Sequence, residues 1–260
     1  MSLDHHNELV KPQSPTRDAF LGGILTLLQP KDGFRAGLDS VILGASIRPG
    51  TANILDLGAG VGTAGLVALA HEPAARALLV ERDPAMVALA AENIRENGLA
   101  ARARVIALDL MRSAAEREAA GLARESAESV ILNPPFYDTA RDQAPSPARA
   151  GARQMDQATL EDWLRVATAH AAPDGEVIVI HVAEALPAIL KAAENRLGAL
   201  TVLPLLPRAG EATRRVLVRG RKGSRAPFTL LAGRVLHGTD GRGFEPEFEA
   251  IFKGRDRLHW

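Results

Sequence analysis

The chain contains no cysteine. Disulfides, thiolate catalysis, Cys-ligated zinc and iron–sulfur clusters are therefore excluded. No apolar run approaches the roughly 20 residues that a membrane helix needs. The first ten residues are polar, with His5 and His6, and lack the hydrophobic stretch of a signal peptide. A soluble, cytoplasmic protein with no membrane partner is the expectation. Net charge is missing too: 31 basic and 31 acidic residues cancel. That argues against a generic nucleic-acid coat but leaves room for a local basic site. The seven His residues are scattered without metal-ligand spacing, apart from the His5–His6 pair, so no metal is expected. No serine stands in a nucleophile-elbow context, which removes a hydrolase.

What is present is alternation. The 47% apolar fraction suits a chain that buries a core. From Ala52 to about Gly198, short apolar runs alternate with helical patterns. Strands are expected at Asn53–Leu57, Ala77–Val80, Arg104–Leu108, Ser129–Leu132 and Gly175–His181. Helices are expected at Thr63–His71, from Pro84 to Asn97-Gly98, at Ser113–Arg124, Leu160–Ala171 and about Ala185–Arg196. The strands lack polar alternation, as strands covered on both faces do. Strand-helix alternation of this kind predicts a doubly wound, mostly parallel α/β sheet of Rossmann-like type. After the last helix come strand-like runs without helices between them, at Leu200–Leu206, Arg215–Arg219 and Phe228–Leu236, which predict an antiparallel C-terminal edge. Phe20–Leu28 reads as either a helix or a strand at Leu25–Leu28, because Gly22-Gly23 disfavours a helix. Asp39–Ile47 reads as a helix. Residues 1–49 are expected to be an extension packed on a single domain of residues 50–260. Monomer and homodimer both stay open.

The first strand runs into Asp56-Leu57-Gly58-Ala59-Gly60-Val61-Gly62. Glycines at a strand-to-helix turn let backbone approach a ligand, either a dinucleotide or an adenosyl compound. The dinucleotide pattern needs its third glycine at the position of Thr63. Asp56 also places a carboxylate at the mouth of the loop, which repels a pyrophosphate and attracts the ammonium of a methionine moiety. Glu81, 23 positions after Gly58, closes the second strand and is suited to a ribose diol, with Arg82 beside it. Asp109, followed by Leu110, closes the third and is suited to an adenine amino group. Any one acid serves equally well as a cap. Three at neighbouring strand ends line the crevice where open α/β sheets bind ligands.

Asn133-Pro134-Pro135-Phe136 follows the fourth strand. Residues before proline are driven to extended conformations, and both prolines fix φ, so the segment is stiff. A planar amino nitrogen has its lone pair in a π-system and is a poor nucleophile. Two acceptors, the Asn133 side-chain oxygen and the Pro134 carbonyl, bind its hydrogens and stabilise charge as it develops. Phe136 offers a stacking face. The same four residues also read as a strand stop with a core aromatic.

These residues carry a resemblance. Leu55–Gly62 together with Asn133–Phe136 resembles the class I S-adenosylmethionine-dependent methyltransferases of the N-P-P-[YF] group, which act on adenine N6, guanine N2 or a protein glutamine. Gln29-Pro30-Lys31-Asp32-Gly33-Phe34-Arg35 with Asp39, then Arg215-Val216-Leu217-Val218 and Phe244-Glu245-Pro246-Glu247-Phe248, is similar to the bacterial valine-tRNA adenine N6-methyltransferase family. The resemblance covers the chain from about Phe20. It implies a seven-stranded sheet, S-adenosylmethionine as cofactor and a tRNA adenine as acceptor. It implies that Asp56, Gly58, Gly60 and Gly62 face the methionine part, Glu81 the ribose and Asp109 the adenine. Arg35 and Asp39 help close the cofactor site, which Asn133 borders. Asn133, Pro134, Pro135 and Phe136 hold the target amine. Phe136 departs from the commoner Tyr, and the Ala/Arg/Pro segment 139–153 matches nothing in the pattern. A protein glutamine or small-molecule acceptor is the alternative, and an RNA-binding module with vestigial chemistry a more distant one.

Residues 214–225 hold Arg214, Arg215, Arg219, Arg221, Lys222 and Arg225 without an acid. With Arg141, Arg149 and Arg153 they read either as a phosphate-binding rim or as a solvated face. Trp163 lies at helical spacing with Leu160, Val166 and Ala167 and reads as core.

Overall fold

A computed structural model describes residues 15–31, 35–135, 159–238 and 243–260. Phe136, Arg141, Arg149 and Arg153 lie outside the described residues, as do Asp32, Gly33 and Phe34.

Five strands form the parallel heart of a nine-stranded sheet: β3 (Asn53–Leu57), β4 (Arg76–Glu81), β5 (Ala103–Ala107), β6 (Ala127–Leu132) and β7 (Ala171–Val182). β8 (Leu197–Leu206) and β9 (Arg215–Lys222) complete the order β8-β9-β7-β6-β3-β4-β5. Among the described strands of this sheet only β9 runs against its neighbours, antiparallel to both β7 and β8. The run Phe228–Leu236 yields two short strands, β10 (Thr229–Leu230) and β11 (Arg234–Val235), each parallel to β8. They bring the sheet to nine strands where the resemblance implied seven.

Both faces of the sheet are covered, which is why the strands lack polar alternation. Ile54, Leu79, Ile131, Ile178 and Leu217 face one buried layer, and Leu55, Val80, Val130, Val177 and Val216 the other. The first layer is built with α1 (Leu38–Ala45), α2 (Thr63–His71), α3 (Pro84–Glu96) and α7 (Pro246–Phe252). The second is built with α5 (Leu160–His170) and α6 (Leu186–Ala193). α4 (Ala114–Ala119) is shorter than its polar pattern suggests, because the chain turns at Gly121 with φ 90°. α3 starts as its sequence requires: Asp83 Oδ1 accepts from Ala85 N at 2.8 Å, and Pro84 occupies the first turn, where its missing N–H costs nothing.

The ambiguous N-terminal stretch is a hairpin. β1 (Thr16–Phe20) pairs antiparallel with β2 (Leu25–Gln29) across a short 3-10 turn in which Gly22 has φ 65°. Two asparagines one turn apart, Asn93 on α3 and Asn97 at its C-cap, hold it. Asn93 Oδ1 accepts from Leu28 N at 2.6 Å, and Asn97 Oδ1 accepts from Thr26 N at 3.0 Å. Asn93 Nδ2 also donates to Val61 O at 2.9 Å, so the hairpin is tied to the glycine loop.

α1 and α2 approach closest at Gly44, where an added Cβ would lie 2.4 Å from Ala64 O and 2.7 Å from Val67 Cβ. A backbone oxygen yields only if a helix moves. Gly44→Ala is therefore expected to destabilise the protein by about 1–3 kcal/mol, read as a lower midpoint in chemical denaturation. An unchanged midpoint would show that the helices separate freely. Among the described residues no helix is long and apolar enough to cross a membrane.

Candidate active site

Everything singled out in the core converges on one edge of the sheet. Leu57 pairs with Val80 on β4 and with Leu132 on β6, so Gly58, Glu81 and Asn133 leave three adjacent strands at one level. Neighbouring strands lie about 4.8 Å apart, which puts all three at one crevice.

The glycine loop needs its glycines. Gly58, Gly60 and Gly62 have φ 70°, 55° and 88°, a region that side chains strongly disfavour. A Cβ on Gly62 would lie 2.7 Å from Leu79 Cδ2, whereas one on Gly60 would meet nothing within 4 Å. Gly60 thus presents bare backbone to the crevice. Glu81 organises this turn. Its Oε2 accepts from Gly60 N at 2.8 Å, and its Oε1 accepts from Arg82 N at 2.8 Å and Asp83 N at 2.9 Å. A carboxylate offers about four acceptor positions, so these bonds leave roughly one for a ligand. A diol bound there takes that position or displaces the Gly60 bond.

Asp56 is not at the mouth of the loop. It is 2% exposed and lies beneath it, with Oδ2 accepting from Gly65 N at 2.8 Å. Burial pushes its carboxyl up to about 7, against the pull of the Gly65 N–H and with a further push from the Glu81 charge. Asp109 caps its own turn, Oδ1 accepting from Met111 N at 2.9 Å. Leu110 is buried and its carbonyl accepts from Arg117 at 3.1 Å, while Arg82 is exposed.

Asn133 differs from all of these. Its Oδ1 is buried and accepts no hydrogen bond from any described residue. An unsatisfied buried acceptor costs about 1–3 kcal/mol, so its persistence here calls for an explanation. Pro134 beside it is buried and Pro135 exposed.

The N-terminal signature is used differently from its expected place. The Arg35 guanidinium donates to Thr16 Oγ1 at 2.8 Å, Asp18 Oδ2 at 2.6 Å and Pro30 O at 3.1 Å, all within the hairpin region. Asp39 opens α1 and accepts from Arg215 Nε at 2.8 Å, linking α1 to the start of β9. The basic run 214–225 is not one rim. Along β9, Arg215 and Arg221 are six residues apart, about 20 Å. Arg214 and Arg215 lie at the site edge, opposite Val182 of β7, whereas Arg221 pairs with Asp174 and Lys222 with Glu125 at the far edge. Arg214 is exposed.

Asn93 and His181 are not marked by the sequence pattern, and Trp163 reads there as core alone. Asn93 holds the glycine loop from below. His181 on β7 is buried, and its imidazole is pushed toward the neutral form by burial and then by the Arg215 charge, against the pull of Asp39. Trp163 lies against Gly58, its Cη2 2.7 Å from where a Cβ would stand. The helical spacing of Trp163 correctly placed it on a packed face; only the fold reveals that the face meets the loop.

Residues 40–198 match the methyltransferase small domain family. The chain belongs to that family. It is an S-adenosylmethionine-dependent methyltransferase. The tRNA1(Val) (adenine(37)-N6)-methyltransferase of Flavobacteriaceae bacterium (strain 3519-10) is 28% identical over 171 residues, 65% of this chain and 69% of that one. Atu636 from Agrobacterium tumefaciens, described as a predicted O-methyltransferase, is 30% identical, with a TM-score of 0.73 over 85% of this chain and 98% of its own. TYW2 of P. horikoshii, solved in complex with MeSAdo, shares the fold at 13% identity and a TM-score of 0.50, over 77% of this methyltransferase and 69% of its own length. The residues present fit the donor: bare backbone at Gly60, Glu81 and Asp109 at neighbouring strand ends and an Asn133 acceptor unclaimed among the described residues border one crevice, with the Asp56 carboxyl beneath the loop.

Proposed function

We propose that this methyltransferase acts on a planar exocyclic amino nitrogen, and that the acceptor is adenine N6 in a tRNA. The buried, unpartnered Oδ1 of Asn133 carries this reading. It is an acceptor held ready on a stiff Asn-Pro-Pro segment, one strand from the glycine loop. An oxygen nucleophile would call for a base; an amine offers two N–H groups and calls for two acceptors.

S-adenosylmethionine, when bound, supplies an electrophilic methyl group on a sulfonium. In this reading Gly58, Gly60 and Gly62 hold its amino-acid end over bare backbone, Asp56 compensates the ammonium, Glu81 takes the ribose and Asp109 the adenine. Asn133 Oδ1 and the Pro134 carbonyl accept the two hydrogens of the target amine. They fix its orientation and stabilise the positive charge that grows on nitrogen. The proton leaves to water, since a cationic amine of this kind is a strong acid. Phe136, outside the described residues, is assigned by its residue type alone as a stacking partner, and a tRNA base reaches the site by leaving its stack.

The names of the two relatives point to different acceptor atoms, nitrogen and oxygen. Asn133 favours nitrogen. Unmodified total tRNA incubated with labelled donor is expected to yield N6-methyladenosine on digestion. Label confined to protein or small-molecule fractions would move the acceptor to a glutamine amide or a metabolite. Arg214 supplies a second test. It is exposed at the site edge and forms no ion pair among the described residues. If the acceptor is RNA, Arg214→Ala weakens binding across sequences and reduces the salt-dependence slope by about one. A slope equal to that of the parent would remove Arg214 from the RNA path.

A further inference from the structure

Trp163 stands where α5 meets the glycine loop. The first turn of α5 is fixed by a reciprocal cap: Asp162 N donates to Thr159 Oγ1 at 3.2 Å, and Thr159 N donates to Asp162 Oδ2 at 3.2 Å. That cap sets where the next residue, Trp163, is aimed. Its ring atoms Cη2 and Cζ3 lie 2.7 and 3.1 Å from the position of a Cβ on Gly58. Real Cβ contacts are essentially never as short as 2.7 Å, so the indole occupies the space that only glycine leaves. The loop therefore has one side closed by an aromatic ring, at Gly58, and one side open, at Gly60.

The ring is not fully consumed by the core. Trp163 is half-buried, packed against the layer that holds Leu57, Val130 and Leu132. Trp is favoured where one part of a site is apolar and another polar. Leu164, Val166 and Ala167 already supply the packing of α5 on the sheet. A smaller apolar residue would fill the core side of position 163 without reaching the loop.

We propose that Trp163 is a wall of the cofactor site, resting on Gly58 from the α5 side and bounding the space over the loop that receives the amino-acid end of S-adenosylmethionine. The inference rests on the reading of Gly58–Gly62 as the cofactor cradle. It makes Trp163 a cofactor-positioning residue, and it makes the indole a reporter of occupancy.

The chain has two tryptophans. Trp260 lies at the other edge of the sheet, its Nε1 donating to Ser46 O at 2.8 Å and its ring under the Arg219 guanidinium, 4.2 Å away. Trp260→Phe leaves Trp163 as the only indole. Titration of that protein with S-adenosylhomocysteine is expected to change the emission saturably, with a midpoint equal to the dissociation constant from calorimetry. In the same background Trp163→Phe is expected to bind within about threefold of the parent, and Trp163→Leu about tenfold or more weakly. The ligand-induced rise in Tm should shrink in Trp163→Leu even where the unliganded Tm is kept, which loss of packing alone would not do. Unchanged emission while calorimetry records binding overturns the inference, as does parent-like affinity in Trp163→Leu. Absence of any calorimetric binding in the Trp260→Phe protein strikes the cradle reading itself and takes the inference down with it.

Discussion

Replacing Asn133 by Ala is expected to lower kcat by roughly 100- to 1,000-fold, the cost of removing one preorganised acceptor from a transition state. The unusual part of the expectation concerns stability. Oδ1 is buried and accepts from no described residue, so Asn133→Ala removes an unsatisfied group worth about 1–3 kcal/mol of cost. The lost packing of one small side chain offsets part of that gain. The thermal midpoint should therefore hold or rise while turnover collapses. Affinity for S-adenosylhomocysteine should change far less than kcat, because in the proposed reading this acceptor faces the amine. Asn133→Asp keeps an oxygen in place and should retain more activity than the alanine variant. Single-turnover rates beside calorimetry and thermal melts separate these readouts. A kcat within threefold of the parent in Asn133→Ala would sink the assignment.

Much of this architecture is legible without coordinates, and the reason lies in burial on both faces. Asn53–Leu57 and Thr63–His71 form over the residues their patterns mark, because a strand covered on two sides and a helix closing on it leave no other pairing for those apolar runs. The glycine loop, Glu81 at the end of β4 and Asp109 just beyond β5 are legible because strand ends at one edge must share a crevice. What is hidden depends on the third dimension. β1 is invisible in Thr-Arg-Asp-Ala-Phe because its strand character comes from pairing with β2, across glycines that read as a break. The basic run 214–225 reads as one patch because sequence carries no distance, yet an extended strand delivers its two ends to opposite edges of the sheet. Asp56 reads as an exposed carboxylate at a loop mouth. The first turn of α2 folds back over it and supplies Gly65 N–H, which explains how a carboxyl sits at 2% exposure. Arg35 and Asp39 share a segment in sequence but serve separate ties, one to Asp18 and one to Arg215.

Asp56 also yields an effect of large expected size, in the pH dependence of both stability and binding. Its carboxyl is pushed from the ordinary 3.8 up to about 7 in the folded protein, chiefly by burial. Between those values the folded state holds a proton that the unfolded state has released, so stability falls as pH rises through this window. Below about 4 the penalty is absent, and above about 7 it is complete, on the order of 4 kcal/mol for a shift of about three units. Asp56→Asn keeps an oxygen for Gly65 N–H and cannot ionise. It is expected to raise the unfolding free energy at pH 8 by up to a few kcal/mol and to bring no gain at pH 4. Denaturant melts at the two pH values test this. The functional consequence has the opposite sign. An ammonium group seated near Asp56 favours the ionised form, so binding of S-adenosylhomocysteine draws the proton off. Affinity should then rise from pH 6 to 8 in the wild-type protein, with proton release seen as a buffer-dependent heat in calorimetry. In Asp56→Asn the affinity should be about tenfold or more weaker at pH 8, and the rise should disappear. A wild-type affinity flat across that range, with the Asn variant binding equally well, would leave Asp56 as a structural carboxyl under the loop and return the ammonium to Glu81 and the backbone.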